Sequence, residues 1–394
     1  MSEWQEDWEE VALGDVAEII NGRAYKLSEW ETSGSPVIRL QNLTQRGGDF
    51  YFSNLALPEK QFCIKGDLLY MWSATFGPHI WWGEKAIFHY HIWKIEPNER
   101  IDKKFLFYLL DAKTQEWKTA GSGMAMIHLT KAGIEKELLS LPPLPEQKKI
   151  AEILSGIDHS LAKLSDKINA LTRLRVQLTR QFLTNEDHLQ SNQESILPLD
   201  WQVKTLDEVA QFRRGSFPQP YGNPEWFDDN GFPFVQVFDI DDNGKLKSST
   251  KSRISKAGAE KSVFIPCGSL IVSLQGSIGR VAITQYDAYV DRTILIFTDY
   301  QKDLDRAYFS LLVGDLFSRQ GEVADGGVIK TITKQTLKDF SIKVPPLNEQ
   351  KRMSKVVFAL DRHISLYKKK LLKGNFLKQS LMGDLLSGRK RVSI

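Results

Sequence analysis

Two stretches about two hundred residues apart are nearly the same. Leu141–Leu154 reads LPPLPEQKKIAEIL and Val344–Val357 reads VPPLNEQKRMSKVV. At an offset of 203, Pro142, Pro143, Leu144, Glu146, Gln147 and Lys148 meet Pro345, Pro346, Leu347, Glu349, Gln350 and Lys351 without a gap. The correspondence continues through Asp158 with Asp361, Leu178 with Leu381 and Leu183 with Leu386. It also runs backwards. Thr130-Lys131 meets Thr333-Lys334, and GDLLYMWSATFG (Gly66–Gly77) meets GSLIVSLQGSIG (Gly268–Gly279) at an offset of 202. DWEEVALGDVAEIING (Asp7–Gly22) meets DWQVKTLDEVAQFRRG (Asp200–Gly215) at 193. Framework blocks in one order, with a slowly drifting offset, are what a duplication leaves when loops diverge. The chain is a tandem repeat, so its fold must be built twice.

Each copy is a body followed by a uniform tail. Behind Glu146, apolar residues fall at Ile150, Leu154, Ile157, Leu161, Leu164, Ile168 and Leu171. Behind Glu349 they fall at Met353, Val357, Leu360, Ile364, Tyr367 and Leu371. Alternating steps of four and three form the seam of a coiled coil. The proline pairs hold the preceding chain extended, Pro145 suits a first helical turn, and Asn348 is expected as an N-cap. A helix from 146 to 184 would be ~57 Å long. Gly374, opposite Leu171, marks a point where the second helix is expected to kink or break. The economical partner for each apolar stripe is the other copy's helix, packed antiparallel about an internal pseudo-twofold axis. The alternative is that each helix packs on its own body.

Within the bodies, PVIRLQNL, DLLYMW, FHYHIWKIE, FPFVQVFDI, GSLIVSL and AYVDRTILIF have the alternation and β-branched or aromatic content of strands. KKFLFYLLDAK and RAYFSLLVGDLF read as short helices. The fold class is therefore α+β: two mixed α/β bodies joined by two long antiparallel coiled-coil helices in a pseudo-twofold tandem repeat. The expected boundaries are 1–141 and 201–344 for the bodies and 142–185 and 345–394 for the helical tails. Residues 186–200 are a polar linker, and Ser387–Ile394 is expected to fray.

No apolar run approaches the ~20 residues of a membrane span, and the opening MSEWQEDWEE is acidic where a secretory signal is basic. A cytoplasmic protein with no membrane partner is expected. Cys63 and Cys267 are too few for a disulfide framework or a cysteine-based zinc site, and both are expected to be buried thiols. The net charge of +3 is unevenly spread. Residues 1–140 hold 15 Lys+Arg against 20 Asp+Glu, and residues 185–343 hold 18 against 22. The tails are basic: 7 against 4 over 141–184, and 12 against 3 over 344–394. Mildly acidic bodies exclude an indiscriminate basic binder. The second tail could approach phosphates, although a solvated helix face is its ordinary reading.

No phosphate-binding loop, dinucleotide fingerprint or nucleophile elbow is present. His89 and His91, expected to alternate on one strand, have no carboxylate or cysteine at ligand spacing, so no metal site is expected. LPPL and VPPL resemble the Pro-Pro of adenine methyltransferases but lack its preceding Asn or Asp and its following aromatic residue. Nothing requires catalysis or a cofactor. What the bodies do offer is unlike sets of polar and aromatic loop residues. The first has Arg39, Gln41, Asn42, Gln45, Arg46, Trp72, His79, Trp81, Trp82, His89, Tyr90 and His91. The second has Arg213, Arg214, Gln236, Asp239, Gln275, Ser277, Arg280, Arg292, Lys330 and Thr331. Such side chains read base edges and hold phosphates, while each taken singly also has the ordinary reading of a surface or packing residue.

Two variable bodies, each followed by a helix that opens on PPLPEQKKIAEILSGID or PPLNEQKRMSKVVFALD, resemble the DNA-specificity subunit of a type I restriction–modification enzyme. DWQVKTLDEVAQFRRG, GDLLYMWSATFG and GSLIVSLQGSIG support the resemblance, which covers essentially the whole chain. It implies that each body is a target-recognition domain reading one half of a bipartite, asymmetric site in double-stranded DNA. It also implies that the helices act as a spacer and dock two modification (adenine methyltransferase) subunits, and that two ATP-dependent restriction subunits complete the endonuclease. S-adenosylmethionine, ATP and magnesium would belong to those partners. Two half-sites about one helical turn apart, ~34 Å, suit such a repeat. A specificity chain of a related bipartite type II system, or a coiled-coil adaptor for two protein-binding modules, remain the other readings.

Overall fold

The structure, a computed structural model, describes residues 7–44, 47–120, 130–184, 200–241, 244–324, 338 and 340–393. It divides into two compact units, Met1–Leu164 with Lys370–Ile394, and Ser165–Lys369.

In the first unit, β1 (Glu9–Ala12) pairs antiparallel with β10 (Leu138–Leu141) and so ties the start of the body to its end. β2 (Ala17–Asn21), β6 (Leu68–Ser73), β7 (Thr75–Ile80) and β9 (Ile92–Pro97) form a sheet in the order β2-β9-β6-β7. β3 (Ser35–Ile38), β4 (Tyr51–Ser53), β5 (Phe62–Cys63) and β8 (Ala86–Phe88) form another, β4-β3-β8-β5, in which β3 and β8 run parallel. Successive strand side chains face opposite ways, and β6 uses both faces. Leu68 and Tyr70 join Ile19, Trp93 and Ile95 in a core completed by Phe105, Leu106 and Leu109 of the helix Lys103–Ala120. Leu69 and Met71 join Ile20 and Ile92 in a second core against Ile38, Cys63, Ala86 and Phe88 of the other sheet. The body is thus three layers, helix, sheet and sheet, and a strand buried on both faces reads as a continuous apolar run. The Tyr70 hydroxyl, buried with its strand, is satisfied by Thr114 Oγ1 at 2.8 Å.

The second unit repeats this order. β11 (Gln202–Thr205) pairs with β20 (Ser341–Val344). β12 (Gln211–Arg214), β16 (Leu270–Ser273), β17 (Val281–Ile283) and β19 (Ile294–Thr298) form the sheet β12-β19-β16-β17. β13 (Phe227–Val235), β14 (Ser252–Ile254), β15 (Val263–Ile265) and β18 (Ala288–Val290) form β14-β13-β18-β15, with β13 and β18 parallel. Leu270 and Val272 face the helix Arg306–Ala324, while Ile271 faces the second sheet.

The long helices are Leu144–Thr184 and Leu347–Leu386. Their first bonds run from the amides of Glu146 and Glu349 to the carbonyls of Pro143 and Pro346. Asn348 is therefore a first-turn residue and not the N-cap. The repeated glutamine explains why the motif recurs. Gln147 donates to the carbonyls of Pro142 (2.9 Å) and Arg100 (3.0 Å) and accepts from the Asp102 amide (2.8 Å). Gln350 donates to Pro345 (2.8 Å) and Asp303 (2.9 Å) and accepts from Asp305 (2.8 Å). Both are buried. Each amide fixes the start of its helix to the loop that enters the body's own helix.

Segments of both helices pair antiparallel inside each unit. In the first, Asp158 receives Lys378 at 2.6 Å, and Leu161 lies against Gly374. In the second, Asp361 receives Arg175 at 3.0 Å and Lys167 lies 4.6 Å above the Tyr367 ring. The two ion pairs occupy equivalent places in the repeat. Both pairs are half-buried near the surface, where such pairs contribute ~0.5 kcal/mol each, so they set register more than stability. Every seam residue from Ile150 to Leu171 and from Met353 to Leu371 is buried or half-buried. The helices pack on the bodies as well. Ile150, Leu154, Met382 and Leu385 enter the first body's core, and Met353 and Leu183 enter the second's.

Three further expectations are corrected. The C-terminal helix runs unbroken through Gly374, where a Cβ would lie 2.6 Å from Leu161 Cδ2, so glycine there allows close helix approach. The tail beyond Leu386 is docked: Arg391 forms a bidentate pair (2.7 and 2.8 Å) with the fully buried Glu146, and Val392 packs on the first core. Cys63 is buried, with its thiol pushed up to about 12 by desolvation, but Cys267 is exposed. Most of the 186–200 linker lies outside the described residues.

Candidate nucleic-acid interface

FHYHIWKIE and AYVDRTILIF, expected as single strands, each break, the first after Phe88 and the second after Val290. His89–His91 and Asp291–Thr293 are turns between β8 and β9 and between β18 and β19. The break has one cause in both copies. The first turn amide makes the last bond of the parallel pair, His89 N to Ile38 O (2.9 Å) and Asp291 N to Val235 O (3.0 Å), and the chain then turns away into the other sheet. His89 and His91 therefore do not alternate along a strand.

Around the first turn the unit collects aromatic and basic side chains. Trp30 stacks on Tyr25 and packs on Tyr51, with centroids 4.6 Å apart in both pairs, and lies 6.2 Å from His89. The Arg39 guanidinium sits 3.7 Å above the Tyr51 ring. Gln41, with its carboxamide oxygen turned toward Arg39, accepts from it at 2.8 and 3.1 Å. Burial pushes His89 down to about 4, with repulsion from His91 and Arg39 adding to it, so this imidazole is neutral at pH 7. Burial also lowers His79 and His91. Other candidates serve as supports. Asn42 Oδ1 accepts from the Arg39 amide and shapes the turn after β3. Trp72 donates to the Tyr90 carbonyl at 2.7 Å, and Trp81 is a core residue donating to Glu84 O. Trp82 is 69% exposed. Gln45 and Arg46 lie outside the described residues.

Around the second turn lies a pocket of about 330 Å³, lined by Gln236, Gln275 and Arg292 together with Tyr221, Phe238 and Thr293. Gln236 is held by Tyr221 and Ser252. Tyr221, pushed up to about 12 by burial and then by the Asp291 carboxylate, keeps its proton and donates it to Asp291 at 3.0 Å. Asp239 is fully buried and accepts the amides of Gln236 and Lys251, as Asn42 does for Arg39 in the first unit. Desolvation raises its carboxyl. Arg280 donates to Ile240 O, and the Ser277 carbonyl accepts from Ser273 Oγ, so both fix the loop after β16. Arg213 and Arg214 lie exposed on the edge strand β12. Lys330 and Thr331 lie outside the described residues. Among the described residues no cluster of histidine, cysteine and carboxylate could hold a metal, and no helix is long and apolar enough to cross a membrane.

The sequence matches the family described as Type I restriction modification DNA specificity domain twice, over residues 5–173 and 198–373. The chain belongs to that family. The matches fall one on each copy of the repeat. Among similar members, the type I restriction enzyme EcoBI specificity subunit of Escherichia coli is 26% identical over 418 residues, covering 97% of this chain and 86% of its own length. The MjaVIII specificity subunit of Methanocaldococcus jannaschii is 25% identical over 406 residues, covering 98% and 94%. The fold is shared with the type I restriction–modification S subunit from M. genitalium, with a TM-score of 0.59 at 13% identity, 98% of this chain and 96% of that one. A chain from a study of complex assembly and conformational transition of the type I R-M system gives 0.60 at 16% identity, covering 98% and 99%.

Within this specificity family's frame, Tyr25, Trp30, Tyr51, Tyr221, Phe238 and Thr293 were not singled out in the sequence. RAYKLSEW does interleave Arg23, Tyr25, Lys26 and Trp30, a signal that could have found two of them. Tyr51 reaches its turn through strand pairing, and Tyr221 and Phe238 reach theirs from loops after β12 and β13, which no local pattern reveals.

Proposed function

We propose that this chain is the DNA-sequence-specificity subunit of a type I restriction–modification complex, that it has no catalytic activity of its own, and that each body reads one half of a bipartite site in double-stranded DNA. The observation that carries this reading is that one backbone frame occurs twice, with unlike side chains at the corresponding turns. Two half-sites of different sequence require this: common supports and separate readers. In the first body the readers are Arg39, Gln41, His89 and His91; in the second they are Gln275 and Arg292, with Gln236 at the pocket and Arg213 and Arg214 toward phosphates. Arginine and amide side chains at a fixed opening suit base edges, which are read by paired donors and acceptors. The two long helices act as the spacer and dock two modification subunits. Leu174 and Leu377, 42% and 55% exposed at equivalent places in the repeat, support two like docking surfaces. S-adenosylmethionine, and the ATP and magnesium used by two restriction subunits, would be held by those partners.

Reconstitution tests this directly. The chain alone should transfer no methyl group to DNA, and the chain with its modification subunits should methylate one bipartite site. Methylation by the chain alone, or methylation by the complex without sequence preference, would sink the reading.

A further inference from the structure

The two turns share more than position. Gly22 N bonds Ile92 O at 3.1 Å and Gly215 N bonds Ile294 O at 3.0 Å. Arg23 N bonds Phe88 O and Ser216 N bonds Val290 O, at 3.1 and 3.0 Å. Ile92 N closes on His89 O at 2.8 Å, and Ile294 N on Asp291 O at 3.1 Å. A Cβ on Gly22 would lie 2.2 Å from His89 O, and one on Gly215 would lie 2.3 Å from Asp291 O. The backbone of both turns is therefore fixed from two sides, while their side chains are unlike.

In each turn the middle residue is exposed: Tyr90 in the first, Arg292 in the second. In the second turn the flanking residues support it. Asp291, 3% exposed, accepts from the Thr293 amide and hydroxyl and from Tyr221 OH. Arg292 stands over Tyr221, its guanidinium carbon 6.0 Å from the ring centroid, at a pocket that also holds the amide of Gln275 and the exposed ring of Phe238. A rigid frame that presents one variable side chain is what accurate base reading needs.

We propose that the middle residue of this turn is a specificity-determining position, and that Arg292 selects a guanine in the half-site read by the second body. Guanine shows two acceptors, O6 and N7, on its major-groove edge, and the planar guanidinium fork matches both. Tyr90 has no such fork, so the corresponding place in the other half-site carries no demand for guanine. The inference rests on the DNA-specificity reading above.

Modified-base sequencing of DNA from cells making the complete complex tests it, with the wild-type chain, Arg292→Ala and Arg292→Lys. The wild-type motif should contain a G·C pair whose preference falls about ten- to a hundredfold in Arg292→Ala. The rest of that half-site and the whole of the other should be unchanged. Arg292→Lys keeps the charge and stem without the fork, and should relax the same pair by a smaller factor even if the alanine variant assembles poorly. An unchanged motif in both variants would overturn the inference. So would a uniform loss of methylation with the motif preserved, the mark of a phosphate contact. A wild-type complex that methylates no bipartite site would overturn the underlying reading as well.

Discussion

The two bodies are alike in their supports and unlike in what they present. The sheet orders, the parallel pair, the buried glutamine and the close-packed glycine correspond element by element. Around the turns they diverge. The first body gathers stacked aromatics, Arg39 and neutral imidazoles; the second gathers amides, a guanidinium and a pocket, and residues 201–344 contain no histidine at all. Backbone hydrogen bonds and a closely packed glycine hold the turns, which leaves the exposed side chains free to differ without loss of fold.

The largest effect is expected where the supports are identical. Gln147→Leu and Gln350→Leu would each strand one buried carbonyl, one part-buried carbonyl and one part-buried amide, at a cost of about 4 kcal/mol, since each unsatisfied group costs ~1–3 kcal/mol. Denaturant melts should show losses of similar size in both variants. A large loss in one and none in the other would break the equivalence of the two helix starts.

A smaller effect should separate the bodies. The folded-state value of His89, about 4, lies below the ~6.5 of an unfolded histidine, so on acidification the unfolded chain takes up the proton first. The stability linked to His89 is complete above pH ~6.5 and is lost as pH falls toward 4. His79 and His91 shift in the same direction. Tryptophan fluorescence reports mainly on the first unit, because only Trp201 and Trp226 lie in the second body. His89→Gln should flatten the acid limb of a fluorescence-detected melt, and an unchanged limb would remove His89 as its cause.

The smallest effect concerns the turn after β6. Ala74 has φ +56° and its counterpart Gly276 has φ +69°. Alanine pays for the left-handed conformation that glycine adopts freely. Ala74→Gly should stabilise the first unit by about 1 kcal/mol, read as a rise in midpoint; a fall would show that Ala74 contributes packing that outweighs its strain.

The repeat, the helix periods and the seam were legible in the sequence because 3.5-residue spacing and repeated blocks are local patterns. The role of Gln147 was not, because its partners Arg100 and Asp102 lie far back in the chain. Likewise the turn at His89–His91 is set by a bond to Ile38 across a parallel pair, so its local sequence still reads as a strand. Gly374 was misread from intrinsic helix preference, which cannot see Leu161 of the facing helix. Of the candidate site residues, Arg39, Gln41, His89 and His91 gather at one turn and Gln236, Gln275 and Arg292 at the other. Asn42, Trp81, Asp239 and Arg280 carry the same polar or aromatic chemistry but spend it inside the fold.

If each body reads one half-site independently on a common frame, then replacing residues 7–141 with a second copy of residues 200–344 should change only what is read. Modified-base sequencing of cells carrying the exchanged chain with its modification subunits should return a site in which the second body's half-site occurs twice and the first body's is absent. Retention of the first half-site by that chain would contradict the division of labour between the bodies.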